Sequence, residues 1–311
     1  MKVLVVGDLI VDMFIHCSLT GEKVEGASRV PNYDVGEIGA SLGGAGLVAL
    51  ACKAHGAEVM LSAVVGPDDP GDMARAMVES QVGDGSLLVT SEDEDYNTTL
   101  KTRVVCDRGI VLRMSEEDFS GVADSEDMLN RISHVMEEFD GVIAVDYGKG
   151  VCGHQNGSSM VYSISRVCRE LEIPFMVASK NLDCAVASEA TFVVCNEDEA
   201  SDFIERWGLT GIKEMANKMV CGSMVITKGK DGADIFTRFA SDEFRSFSGE
   251  ETGIGSSGIG SGDCFSASLM CNSLQGRGLD SSVKLANKYA ARSAVSSMTG
   301  THIPDLEEIK H

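Results

Sequence analysis

The chain has 311 residues, 43% of them hydrophobic, which suffices for one large α/β domain with an appendage or for two modest domains. Apolar residues are spread too evenly for a disordered, collagenous or coiled-coil protein. A net charge of −22, from 48 acidic and 26 basic residues, repels nucleic acid and anionic lipid, so neither is an expected partner.

The first residues, MKVLVVGD, read as a strand over Lys2–Val6 rather than as a signal peptide. An Ala-rich helix is predicted over Gly44–His55, stopped by Gly56, followed by a strand at Val59–Val65, a helix at Asp72–Ser80 and a strand at Leu87–Val89. The alternation continues with the strand Val142–Val145, the helix Ser158–Leu171 and the strands Phe175–Ala178 and Phe192–Val194. Helices Glu197–Trp207 and Ile212–Cys221 precede the strand Met224–Thr227, and helices Asp263–Leu274 and Ser281–Ser297 follow. Such a rhythm marks a parallel sheet wrapped by helices. Met13–Gly39 and Tyr96–Arg113 break it with short β-like runs, such as Leu100–Val105. Both segments are expected to leave the main sheet and pair with each other, either as a lid over a site or as a plain surface hairpin.

Ten scattered cysteines without a CxxC pair fit thiols in a reducing cytosol better than disulfides or a zinc site. No apolar run reaches membrane-spanning length. A cytoplasmic protein is expected, in which the sequons at Asn97 and Asn156 are coincidences.

The strongest chemical signal is Gly258-Ile259-Gly260-Ser261-Gly262-Asp263 at the start of a helix. Glycines let successive amides converge on one point, and the helix dipole adds positive charge there, a nest for a transferring phosphoryl group. An Asp at its mouth can take the proton of an attacking hydroxyl. The plainer alternative is an acidic residue stabilising a helix N-terminus beside a flexible linker. The chain has no G-x-x-x-x-G-K-[ST] sequence and no G-x-G-x-x-G after its first strand, which weakens both a P-loop NTPase and a dinucleotide-binding oxidoreductase.

In order along the chain stand Val6-Gly7-Asp8 with Asp12, Gly43-Gly44-Ala45-Gly46, and Lys101-Thr102-Arg103-Val104. After them come Asp146-Tyr147-Gly148-Lys149-Gly150, Asn196-Glu197-Asp198-Glu199, Thr227-Lys228-Gly229 with Gly232, and Gly260-Ser261-Gly262-Asp263. Over nearly its whole length the chain resembles the ribokinase-like (PfkB) carbohydrate kinases. Its Asp-Tyr-x-Lys-Gly stretch is most similar to the bacterial heptose-phosphate kinases of the ADP-heptose pathway.

The resemblance implies a single kinase domain over 1–311, a three-layer α/β/α sandwich with a small β-sheet lid formed by about 13–39 and 96–113. It also implies ATP and Mg²⁺ as cofactors and a sugar or sugar-phosphate acceptor. Exposed lid-strand edges are often covered by the same element of a second subunit, so a homodimer through the lid is expected. Asp263 would be the base, and Gly260, Ser261 and Gly262 the anion hole. Asp8, Asp12, Gly43, Gly44, Lys101, Arg103 and Lys149 would bind the acceptor, with Arg108 adding charge. Lys180, Asn196, Glu199, Thr227, Lys228, Gly229, Gly232 and Asn287 would bind the nucleotide, and Asn196 and Glu199 would hold magnesium through water. On their own, Asn196 and Glu199 equally fit an N-cap with its capping-box partner, and Lys101 and Arg103 fit a solvated strand face.

Three positions depart from the family pattern. Leu47 stands where an Asn usually follows the Gly-Gly turn, Ala178-Ser179-Lys180 replaces Asp-Pro-Lys, and Ser257 replaces an Asp of the monovalent-cation loop. An active kinase with altered specificity and little potassium dependence is the expectation. A non-catalytic nucleotide- or sugar-binding regulator is the alternative.

Overall fold

The structure is a computed structural model. It describes residues 1–311 except 92, 94, 107–108, 118–124, 153, 156–157, 186–187, 239–242, 252–257, 295–301 and 310–311.

Apolar runs bounded by turns make the strands of a nine-stranded sheet. They are β1 (Lys2–Gly7), β4 (Glu58–Val65), β5 (Leu87–Thr90), β8 (Gly141–Asp146), β11 (Phe175–Ser179), β12 (Phe192–Asn196), β13 (Ser223–Thr227), β14 (Ala233–Thr237) and β15 (Glu243–Phe247). The spatial order is β15-β14-β13-β12-β11-β8-β1-β4-β5. All pairings from β5 to β13 are parallel, while β14 and β15 close one edge as an antiparallel meander. The last strand predicted from the sequence ends at Thr227, so this meander was not anticipated.

Because successive side chains in a strand face opposite ways, Val3 and Val5 enter one apolar layer and Leu4 and Val6 the other. The first layer packs α1 (Ala45–Ala54), α2 (Asp69–Gln81), α7 (Ser261–Leu274) and α8 (Leu279–Ala294) on the sheet. The second packs α3 (Ser125–Ser133), α4 (Met160–Glu170), α5 (Glu197–Arg206) and α6 (Ile212–Lys218) on the opposite face. The expected sandwich is therefore present. Helix α3 was not foreseen, and α2 starts three residues early because Asp68 caps it, accepting from the Gly71 amide at 2.8 Å.

The two segments that broke the rhythm lie in a separate four-stranded sheet, β3-β2-β6-β7. Its strands are β2 (Leu9–Glu25), β3 (Ser28–Gly44), β6 (Leu100–Cys106) and β7 (Gly109–Glu116). The first is not a set of short runs, as its composition suggested, but one continuous hairpin from Leu9 to Gly44. Register shifts after Ile15 and Leu19 absorb the irregular spacing of its apolar residues. Strand β2 is buried near its start and exposed beyond Cys17, so the hairpin projects from the body. A two-stranded ribbon, β9 (His154–Gln155) and β10 (Ser158–Ser159), precedes α4 and takes the first residues that the sequence assigned to that helix.

Candidate active site

The parallel strands end on one side of the sheet, and their last residues feed a common cleft of ≈ 460 Å³. Asp146 at the end of β8, Ser179 at the end of β11 with Lys180 after it, Asn196 at the end of β12 and Thr227 at the end of β13 line it from below. This is where open α/β sheets place their ligands. Asp12 from β2, Lys101 and Arg103 from β6 and Arg113 from β7 line it from the second sheet. Lys101 and Arg103 are two apart on one strand and therefore share a face. The third wall is the N-terminus of α7, with Gly258, Ile259, Gly260, Ser261, Gly262 and Asp263.

Helix α7 is buried continuously from Asp263 to Asn272, so it runs through the core with its first turn at the cleft. Gly260 adopts the left-handed conformation (φ 75°) before it, and the Ser261 amide donates to the Gly258 carbonyl at 3.3 Å. Asp263 is buried, and the Tyr147 hydroxyl lies 2.9 Å from each of its carboxylate oxygens, within donating distance of either. Burial pushes Asp263 from 3.8 up to about 7; Tyr147 and the charges of Lys180 and Lys101 pull it back, and Asp12 adds to the rise. The Tyr147 ring lies between two ammonium groups, Lys180 Nζ 4.3 Å and Lys101 Nζ 5.2 Å from its centroid. Burial, and then the like charge of Lys180, draws Lys101 down to about 8.

The acceptor-side residues divide. Asp12 is buried and ion-paired with Arg103, and a Cβ at Gly43 would come 2.2 Å from its Oδ2, so glycine there lets the carboxylate fit. Gly44 (φ 55°) lets the backbone turn into α1, where the Ala45 amide meets the Asp8 carbonyl at 2.9 Å. Asp8 itself does not line the cleft. Its buried carboxylate accepts from the amides of Tyr147 (2.7 Å), Lys149 (2.9 Å) and Val151 (3.1 Å), and so fixes the loop after β8. Lys149 is also outside the lining, its ammonium 2.7 Å from Glu117 Oε2, with Lys101 3.9 Å from the other oxygen of Glu117. Burial pushes Glu117 up, but the Lys149 hydrogen bond and the charges of Lys149, Lys101 and Arg113 bring it below its ordinary value. Arg108 and Ser257 lie outside the described residues.

The nucleotide-side residues divide as well. Lys180, Asn196, Glu199, Thr227 and Gly229 line the cleft. Lys228, Gly232 and Asn287 do not. The Lys228 ammonium is held 2.7 Å from Asp234 on β14, and Asn287 Nδ2 donates to the Ser248 carbonyl at 3.3 Å. Gly232 (φ 97°) serves the turn into β14, since a Cβ there would lie 2.0 Å from the Phe247 carbonyl oxygen. Asn196 and Glu199 do form the capping box: Asn196 Oδ1 accepts from the Glu199 amide and Glu199 Oε2 from the Asn196 amide, each at 2.8 Å. Burial raises Glu199 above its ordinary value, opposed by the Asn196 amide that donates to its carboxylate and by the charge of Lys180. Among the described residues no group of three or more His, Cys, Asp or Glu could hold a metal. Asn196 and Glu199 present oxygen donors on the cleft wall, the ligand type that suits a magnesium ion.

Leu47 and Ala178 line the cleft as apolar surface at two of the positions that depart from the family pattern. Tyr147, Asp146, Arg113 and Glu117 were given no role from sequence. Tyr147 stood within a quoted motif, but its reach to Asp263, 116 residues away, exists only in the fold. Arg113 pairs in register with Arg103 across β6 and β7, a relation that appears only once the strand pairing is known.

Residues 158–306 match the family described as pfkB family carbohydrate kinase. Over that stretch, just under half of its length, the chain is similar to the pfkB family carbohydrate kinases. Among curated proteins it is 26% identical, over 99% of its length, to the "Bifunctional protein HldE" of Campylobacter curvus, of which it spans 64%. Among solved structures it has the fold of the ribokinase of Giardia lamblia (TM-score 0.75, 17% identity, 99% and 98% of the two chains covered). It shares that fold with the phosphofructokinase-2 of Escherichia coli (TM-score 0.71, 15% identity, 100% and 97% covered). The match includes Asp263 and the glycines before it, whereas the Asp8 clamp and the second sheet lie outside residues 158–306.

A carboxylate raised by burial disfavours the folded state once it ionises. Asp263 binds a proton in the folded chain between about pH 4 and about pH 7 when the unfolded chain has released it, so its contribution to stability falls as pH rises through that window. Asp263→Asn removes the charge and should be more stable than the parent above pH 7, by up to about 4 kcal/mol, with the gain shrinking towards pH 4. Urea unfolding midpoints at pH 5 and pH 8 measure the difference.

Proposed function

We propose that the chain transfers the γ-phosphoryl group of ATP to a hydroxyl of a sugar or sugar phosphate, with Asp263 as general base. The observation that carries this reading is a buried carboxylate at the first turn of α7, opening on a cleft lined by Lys101, Arg103, Arg113 and Lys180. The acceptor hydroxyl gives its proton to Asp263 as its oxygen bonds to the γ-phosphorus. The bond from that phosphorus to the bridging oxygen breaks, and ADP leaves with the electron pair. Gly260, Ser261 and Gly262, with the positive end of the α7 dipole, stabilise charge on the transferring group. Asn196, Glu199, Thr227, Gly229 and Lys180 serve the nucleotide. Asn196 and Glu199 would hold a magnesium ion through water, and its charge would screen the ATP phosphates. A cytoplasmic location would supply the ATP.

Asp263→Asn should lower kcat by roughly 10²–10⁴-fold and leave ATP affinity nearly unchanged. Coupled ADP-release kinetics and nucleotide titration test this, and a loss below about tenfold in a folded variant would sink the assignment.

The acceptor class follows from local charge against a global −22. A phosphorylated sugar, such as a heptose 7-phosphate, suits Lys101 and Arg113, which line the cleft, while Arg103 is engaged by Asp12. Lys101→Ala should weaken a sugar phosphate at least tenfold more than the corresponding neutral sugar, a ratio in the range expected for one charge-assisted bond. Equal losses in KM for both acceptors would reject the phosphorylated class.

The second sheet is the proposed lid, and its exposed Leu19, Val24, Val35 and Ile38 form the contact of a homodimer. Ile38→Glu should shift the chain to monomer in sedimentation velocity runs. A parent that is monomeric at micromolar concentration would remove the proposal.

A further inference from the structure

A base must be held still, kept charged and left with one lone pair facing the acceptor. Asp263 meets the first two conditions through a residue on another element. Tyr147 follows the last residue of β8, and its amide donates to Asp8 Oδ2 at 2.7 Å, as does that of Lys149 at 2.9 Å. The backbone that carries the phenol is therefore anchored to a buried carboxylate. The ring is flanked by Lys180 and Lys101, and the hydroxyl lies 2.9 Å from both oxygens of Asp263. Anchored at both ends, the phenol has little freedom to leave. A hydroxyl has one proton, so it can satisfy only one of the two carboxylate oxygens at a time.

We propose that Tyr147 is a positioning residue for Asp263: its hydroxyl fixes the carboxylate at the mouth of α7, keeps one oxygen when the acceptor hydroxyl takes the other, and thereby selects the oxygen that receives the proton. The inference rests on the reading of Asp263 as the base. The groups facing Asp263 are Tyr147, Lys180, Lys101 and Asp12, and Tyr147 is the one that donates a hydrogen bond to it. Burial raises Asp263 to about 7 while this donation lowers it, so loss of the phenol raises it further. Activity that needs the ionised base rises with pH through that value. Without the phenol, the rise moves to higher pH.

Tyr147→Phe keeps the ring and its contacts with the lysines. It should move the acid limb of kcat/KM upward by about one pH unit and lower kcat about tenfold at pH 7, with much of the loss recovered in alkali and KM for ATP unchanged. A purely structural role would lower activity equally at all pH values. An unmoved limb, or a uniform loss, overturns the proposal. Asp263→Asn, assayed in parallel, separates the two readings. An active Asp263→Asn variant removes the base itself, whereas an inactive one beside a Tyr147→Phe profile like the parent's removes only the role of Tyr147. If Tyr147→Phe does not fold, 3-fluorotyrosine placed at 147 in the full chain supplies a stronger donor of nearly the same shape. It should move the limb to lower pH, and a limb that stays put or moves up refutes the assignment.

Discussion

Asp8 joins three parts of the molecule through one buried residue. Its amide donates to the Val145 carbonyl on β8, and its own carbonyl accepts from the Ala45 amide at the start of α1. Its carboxylate accepts from the amides of Tyr147, Lys149 and Val151. The end of β1, the loop after β8 and the entry to α1 thus share one centre. Without it, three amides would be left in a region closed to water, a cost of about 1–3 kcal/mol for each. The second sheet begins one residue later at Leu9, so this centre also fixes where that sheet stands over the cleft. Burial and the charge of Asp146 raise Asp8 to about 7, while the three amides favour its ionised form.

The same principle, charge confined by burial, organises the cleft. An acidic surface surrounds a small cationic region in which Lys101, Arg103, Arg113 and Lys180 face Asp12 and Asp263. Arg103 is matched by Asp12, and Lys149 and Lys101 are shared by Glu117. These pairs are almost closed to solvent, so screening by salt is weak and each charge acts on its neighbours at close range. Lys101 is drawn down to about 8 in this setting, which leaves it sensitive to any added anion. A ligand phosphate would both neutralise the region and hold Lys101 in its charged form.

The likeness to solved structures covers nearly the whole chain although identity is 15–17%, so the fold tolerates wide change in sequence. Apolar alternation in β1 and β8 can be met by many residues of suitable size. Leu47 and Ala178 place methyl groups on the cleft wall.

The alternating strands and helices, the sandwich and the glycine-led start of α7 were determined by the sequence itself, because periodicity, turn residues and cap residues act over a few neighbours. The capping box of Asn196 and Glu199 was legible for the same reason, its two bonds spanning three residues. Asp263, Lys101, Lys180 and Thr227 could be marked as candidates from motifs, and the fold brought all four to one cleft. Which candidates remain outside was decided by tertiary structure. Lys228 meets Asp234 through the unforeseen β13–β14 pairing, and Lys149 meets Glu117 across the end of β7. Asp8 faces amides 139 to 143 residues away, and Tyr147 reaches Asp263 across 116. A side chain's type announces what it can bond, but its partner is set by the packing of distant elements, and only the folded chain brings those elements within hydrogen-bond range.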